Sequence, residues 1–111
     1  MSETGNDTWH KVASYAALEP DYPICVKVDA RELALCRVDD AVFAIDNVCS
    51  HAFARLSDGW LEGFALFCPL HGGSFDVRTG AVMSPPCMDP VAVFECRVEG
   101  DVVLVRLVAD D

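Results

Sequence analysis

The chain has 111 residues, 52% of them apolar and 23% charged, a length and balance that suit one globular domain over 1–111 and exclude a disordered segment. Its 18 acidic against 8 basic residues leave a net charge of −10. That argues against nucleic acid as a partner, because a phosphate backbone selects a basic face. The acid surplus serves either solubility or steering toward a basic patch on a partner protein. The start, Met1-Ser2-Glu3-Thr4-Gly5-Asn6-Asp7, is polar and acidic and lacks the basic and apolar regions of a signal sequence. No apolar run approaches the roughly 18 residues of a membrane span. A cytoplasmic protein is expected, with no membrane partner.

In chain order, short segments rich in Val, Ile and Phe follow the strand period of two: 24–28 (ICVKV), 32–38 (ELALCRV) and 41–45 (AVFAI). Asp39-Asp40 between the last two is a two-residue turn signal. Strands are expected again at 64–68 (FALFC), 91–98 (VAVFECRV) and 102–108 (VVLVRLV), with Glu99-Gly100-Asp101 closing the last hairpin. The pattern predicts an all-β fold, a small antiparallel sandwich or barrel. Between about 47 and 88 turn residues crowd in: Ser57-Asp58-Gly59, Gly63, Gly72-Gly73, Thr79-Gly80 and Pro85-Pro86. This stretch reads as a loop-rich subdomain carried on the β frame, where function tends to sit.

Of the six cysteines, Cys25, Cys36 and Cys96 lie inside strand-like apolar patterns and are expected to be packed thiols, not disulfides, in a reducing compartment. Cys87 is read the same way. Cys49 and Cys68 differ. Cys49-Ser50-His51 and, after sixteen intervening residues, Cys68-Pro69-Leu70-His71 each pair a thiol with an imidazole at ligand spacing. Two thiolates and two imidazoles brought together by loop closure make a four-ligand metal site. Zinc is one occupant; a 2Fe–2S cluster with two histidines on one iron is the other. Gly72 and Gly73 would let the backbone pass close to a bound group and offer N–H donors to inorganic sulfide, which zinc does not need.

These two segments, with CPLHGGSFD in the second and RTGAVMSPP after it, resemble the Rieske motif, C-x-H then C-x-x-H, and its third, proline-containing loop. The resemblance covers nearly the whole chain and implies the Rieske fold. It implies one Rieske-type 2Fe–2S cluster, with Cys49 and Cys68 on the inner iron and His51 and His71 on the outer, near the surface. High-potential members carry an extra cysteine pair, at positions that are Ala54 and Leu70 here, and hydroxyl donors at positions that are Gly73 and Phe75 here. With fewer donors to the cluster, a potential near the low end of the Rieske range, about −150 mV, is expected.

Ring-hydroxylating oxygenases add a second iron on two histidines and a carboxylate. The chain has three histidines, and after the cluster only His10 is left. There is also no G-x-G-x-x-G dinucleotide fingerprint for a reductase. The chain therefore resembles the ferredoxin component of bacterial multicomponent aromatic-ring dioxygenases. It would be no enzyme itself, but a monomeric one-electron carrier from an NAD(P)H-dependent flavoprotein reductase to a terminal oxygenase. The alternatives are a small Rieske subunit of a nitrite reductase and a zinc-stabilised interaction module. Segments 47–54, 68–75 and 81–88 carry no formal charge, while Arg55, Asp58, Asp76, Arg78 and Asp89 stand at their margins. Ala52, Phe53, Leu70, Pro85 and Pro86 are expected to form an apolar docking cap inside a charged rim.

Overall fold

The computed structural model of the chain describes residues 7–48, 54–69, 72–85 and 89–108. Ten strands run through them: β1 (Asp7–Ser14), β2 (Ile24–Val28), β3 (Arg31–Val38), β4 (Ala41–Asp46), β5 (Trp60–Glu62), β6 (Ala65–Phe67), β7 (Ser74–Asp76), β8 (Val82–Ser84), β9 (Val93–Glu99) and β10 (Val102–Val108). Six of them form an antiparallel sheet in the order β1-β10-β9-β4-β3-β2. Its two edges, β1 and β2, also approach each other, so the sheet curls into a nearly closed barrel. The other four, β5 to β8, make a small antiparallel meander in chain order. The described residues contain no α-helix, only single 3-10 turns at Tyr15–Ala17 and Leu56–Asp58. The all-β expectation therefore holds.

Tight turns set the register of the barrel hairpins. Asp39, between β3 and β4, has φ 53°, and Asp29, between β2 and β3, has φ 57°. Each opens a two-residue turn of the left-handed kind that matches strand twist, and aspartate tolerates that conformation better than most residues. Gly100 takes the same role between β9 and β10 at φ 62°.

Besides the three-residue strands β5, β7 and β8, two elements differ from the sequence reading. The strand expected over 91–98 begins only at Val93, because the two residues before it are claimed elsewhere. The Val91 N–H donates to the Gly80 carbonyl (3.0 Å), and the Ala92 carbonyl accepts from the Asp46 N–H (2.9 Å). β1 was not anticipated. Its register against β10 shifts between Lys11 and Ala13, and such a bulge breaks the period of two on which strand reading rests.

The core sits on both sides of β3. Leu33 and Leu35 point into the barrel with Leu18, Val28, Ala44, Val103 and Val105. Ala34 and Cys36 point the other way, toward Leu56, Leu61, Leu66, Cys68, Phe75 and Val77 of the inserted segment. Successive strand residues face opposite sides, so a run buried on both faces, Leu33 to Cys36, has to be apolar throughout. β4 repeats the arrangement, with Ala44 inward and Ile45 outward.

Burial pushes the Cys36 thiol up to about 12, with the neighbouring Cys96 adding to it. Cys96 is likewise pushed up to about 12, by burial and then by Glu95. Both groups keep their protons through neutral pH. Cys25 and Cys96 are both half-buried, but Cys25 departs from the packed-thiol expectation because the Arg55 Nη2 lies 3.2 Å from its sulfur. A thiol whose pKa is raised on folding contributes stability below the unfolded value of 9.0 and loses it as pH rises toward about 12. The folded protein should therefore leave Cys36 and Cys96 unalkylated by iodoacetamide at pH 8, whereas both react once it is unfolded in urea. Peptide mass mapping reads this, and rapid labelling of Cys36 in the folded state would contradict the burial.

Candidate metal centre

Cys49 to Phe53, Leu70 and His71, and Pro86, Cys87 and Met88 lie outside the described residues. The site is therefore defined by the bases of its three loops and by Cys68.

The first loop leaves β4 through Asn47, whose side chain is wholly buried. The Asn47 N–H donates to the Glu32 carbonyl (3.1 Å), and its carbonyl accepts from the Leu56 N–H (2.7 Å). Its side-chain oxygen accepts from the Ser57 N–H at 2.7 Å. Its amide nitrogen donates to Glu32 Oε1 at 3.4 Å. One residue on, Val48 bridges to Arg55, and Arg55 Nε meets the same Glu32 oxygen at 3.2 Å. The two ends of the Cys49–His51 loop are thus drawn together and fixed to β3. Ala54 and Leu56 then enter the core on the far side of the loop.

The second loop joins β6 to β7. The Cys68 N–H donates to the Gly73 carbonyl (2.7 Å), and the Gly72 N–H donates back to the Cys68 carbonyl (3.2 Å). Gly72 has φ 76°, a left-handed position that a side chain would strain. Cys68 is 1% exposed and packs in the same core as Ala54, Leu56 and Phe75. Pro69 and Gly72 are exposed, so the chain leaves the core at Cys68 and returns at Gly73.

Three contacts tie the loop bases to one another and to the barrel. Gly59 approaches β6 so closely that a Cβ there would lie 1.8 Å from the Phe67 carbonyl oxygen, one residue before Cys68. The hydroxyls of Ser74 and Ser84 share a 2.7 Å hydrogen bond, joining the end of the second loop to the start of the proline-containing third, where Pro85 is exposed. A Cβ on Gly80 would lie 2.0 Å from the Val91 carbonyl oxygen, which seats the β7–β8 turn on the barrel. In that turn Arg78 pairs with Asp76 (2.9 Å) and lies over the Phe64 ring at 4.0 Å. The guanidinium's hydrogen bond holds the Asp76 carboxyl below the usual carboxylate range. Two of the expected rim charges, Arg55 and Arg78, are therefore already paired within the chain.

These observations suit a soft, four-ligand site. Of the four ligand candidates, Cys68 is described, buried at the mouth of its loop. The other loop is closed at its base against the same core. Among the described residues, no three His, Cys, Asp or Glu come together as a rival metal site. His10 lies on β1, paired with Val105 of the barrel sheet. Asn47, Glu32, Gly59 and the Ser74–Ser84 pair were not singled out for these roles. The close spacing of Asn47 to Cys49 is the one signal that could have drawn attention to them.

The chain matches the Rieske 2Fe-2S domain family over residues 8–95. It is 42% identical over 96 residues to the ferredoxin component of a naphthalene 1,2-dioxygenase system from Pseudomonas aeruginosa, covering 86% of this chain and 91% of the relative. Among solved structures it is similar to the ferredoxin of carbazole 1,9a-dioxygenase from Nocardioides aromaticivorans IC177. That match has a TM-score of 0.85 and 42% identity, over 88% of this chain and 96% of the other. A similar match, TM-score 0.82 and 41% identity over 87% and 91% of the two chains, is to a complex of reduced oxygenase and oxidized ferredoxin in carbazole 1,9a-dioxygenase.

Replacing Gly59 by alanine sets a methyl group against a backbone carbonyl that cannot step aside. Overpacking of this kind costs about 1–3 kcal/mol. A urea titration of G59A should show that loss of stability, and an unchanged midpoint would contradict the close approach.

Proposed function

Because the chain belongs to the Rieske 2Fe–2S domain family, we propose that Cys49, His51, Cys68 and His71 hold its cluster and that their loops form the face through which electrons pass. The chain carries one Rieske-type 2Fe–2S cluster and is the ferredoxin of an aromatic-ring dioxygenase system, an electron carrier and not the catalyst. Its electron acceptor is the terminal oxygenase. The reading extends to an NAD(P)H-dependent flavoprotein reductase as donor, to a cytoplasmic monomer, and to one domain over 1–111 with a cluster-binding subdomain over about 47–88. Among the described residues, no helix is long and apolar enough to cross a membrane.

One observation carries the site: Ala54, at the end of the first loop, and Cys68, at the start of the second, are buried in one core. Two loops rooted there would bring their remaining ligand candidates to one site. When bound, the cluster supplies one-electron oxidation and reduction. Cys68, buried at the mouth of its loop, would hold the inner iron. His71, whose described chain neighbours Pro69 and Gly72 are exposed, would hold the outer iron. The second loop offers no spare hydroxyl. Phe75 is buried in the core and has none, and the Ser74 hydroxyl is engaged with Ser84. That supports a low potential, about −150 mV, within the Rieske range.

The surface around the loop bases suits a transient partner. Val48 is 50% and Met83 52% exposed, and Pro69 and Pro85 at the other loop bases are exposed too. The Arg55–Glu32 pair borders Val48 through the Val48–Arg55 bridge, and the Arg78–Asp76 pair lies in the β7–β8 turn. An apolar centre with a polar rim is the anatomy of a small interface. The nitrite-reductase and zinc-module readings give way because relatives at 42% identity are ferredoxin components of dioxygenase systems.

A charge placed at Phe53 or Leu70, as in F53D or L70D, should slow reductase-to-oxygenase turnover by about tenfold, the cost of losing one useful interface contact. The visible spectrum of the cluster should stay unchanged. Turnover at the unsubstituted rate would remove the docking face from these loops.

A further inference from the structure

The polar group at the root of the first loop has more hydrogen bonds than a strand end requires. Asn47 is fully buried, and its backbone and side chain together bond Glu32, Leu56 and Ser57. A backbone bridge from Val48 to Arg55 follows at once. Glu32 serves both ends of the loop: its Oε1 lies 3.4 Å from the Asn47 amide nitrogen and 3.2 Å from Arg55 Nε. Glu32 stands on β3 opposite Lys27 of β2, so the loop is moored to the barrel wall and not only to itself. The core residues nearby cannot supply this. Ala54 and Leu56 anchor the far end of the loop by packing, which is non-directional, whereas the bonds at Asn47, two places before Cys49 in the chain, are directional.

We propose that Asn47, acting through Glu32 and Ser57, is the positioning residue that holds the Cys49–His51 loop in its ligating arrangement and sets how slowly the cluster is released. The proposal rests on the reading of Cys49 and His51 as ligands. Release of iron needs local opening of a loop, not unfolding of the barrel, and local openings have their own, smaller free energy. Removing the Asn47 side chain leaves the Ser57 N–H without its partner in a half-buried setting, a loss that appears directly in that opening step. Charge sets the polarity of the clamp. The Asn47 oxygen must accept from Ser57 while its nitrogen donates to a carboxylate. Aspartate at this position would keep the first bond and set two carboxylates against each other. Glutamine at position 32 would reverse the second bond and restore it.

The test follows iron transfer to an excess of ferrozine under reducing conditions, on the holoprotein, for the unsubstituted chain and for N47A, N47D, N47D/E32Q and L35A. Far-UV circular dichroism and urea midpoints are recorded on the same samples. N47A and N47D are expected to release iron at least about tenfold faster, the effect of losing one buried hydrogen bond. N47D/E32Q should return to within about threefold of the unsubstituted rate, the recovery expected when that hydrogen bond is re-formed. L35A truncates a fully buried barrel residue; it should lower the urea midpoint yet leave release unchanged. If release follows the urea midpoint across all the variants, or if N47A releases at the unsubstituted rate, Asn47 is no more than a structural residue. If N47A fails to fold, the comparison of N47D with N47D/E32Q decides, and no rescue in the double variant overturns the proposal. An unsubstituted protein that binds no iron would instead remove the ligand reading itself.

Discussion

Everything distinctive in this molecule depends on a strand that is buried on both of its faces. β3 gives Leu33 and Leu35 to the barrel and Ala34 and Cys36 to the inserted segment, so one wall serves two cores. Neither core is large. The second contains strands of only three residues, and a meander that short is not stable alone in water. Packing against a wall already fixed by the barrel gives it a stable seat. The loops inherit that position: Ala54 and Cys68 lie in the second core, and Asn47 is tied to Glu32 of β3 itself.

The division of labour suits an electron carrier. A group that gains and loses one electron works best where its surroundings change little between the two states, and the loop bases provide that rigidity through backbone bonds, two close glycine approaches and a serine pair. The exposed parts are apolar, while the nearby arginines are satisfied within the chain. A partner meeting this face displaces water from apolar surface and need not break strong ion pairs, so association can be specific and brief. The net charge of −10 adds a long-range pull toward basic partners that salt would weaken.

Much of this was legible in the sequence, for identifiable reasons. β2, β3, β4 and β10 read correctly because each is at least five residues of alternating or continuous apolar character between turn residues. Cys36 read as a packed thiol because it stands in such a run. The ligand candidates Cys49, His51, Cys68 and His71 stand out in the sequence by their spacing. β1 was hidden by its bulge, and β5, β7 and β8 by their length, since three residues carry no period. Cys25 was misread because its pattern is strand-like but its neighbour is Arg55, thirty residues away. The loop clamps were hidden for a related reason. Asn47, Glu32 and Ser57 are polar residues whose partners are 10 and 15 positions distant, and no local pattern announces such a contact.

The central claim is that two histidines and two cysteines of this chain share one cluster. Pulsed EPR of the dithionite-reduced protein, prepared with 15N-labelled histidine in an otherwise unlabelled chain, measures it most directly. The account predicts couplings to two distinct 15N nuclei, with one lost in each of the variants His51→Cys and His71→Cys and none lost in His10→Ala. A reduced cluster with no 15N coupling would mean ligation by cysteines alone, for which the chain's six would suffice, and would contradict the account.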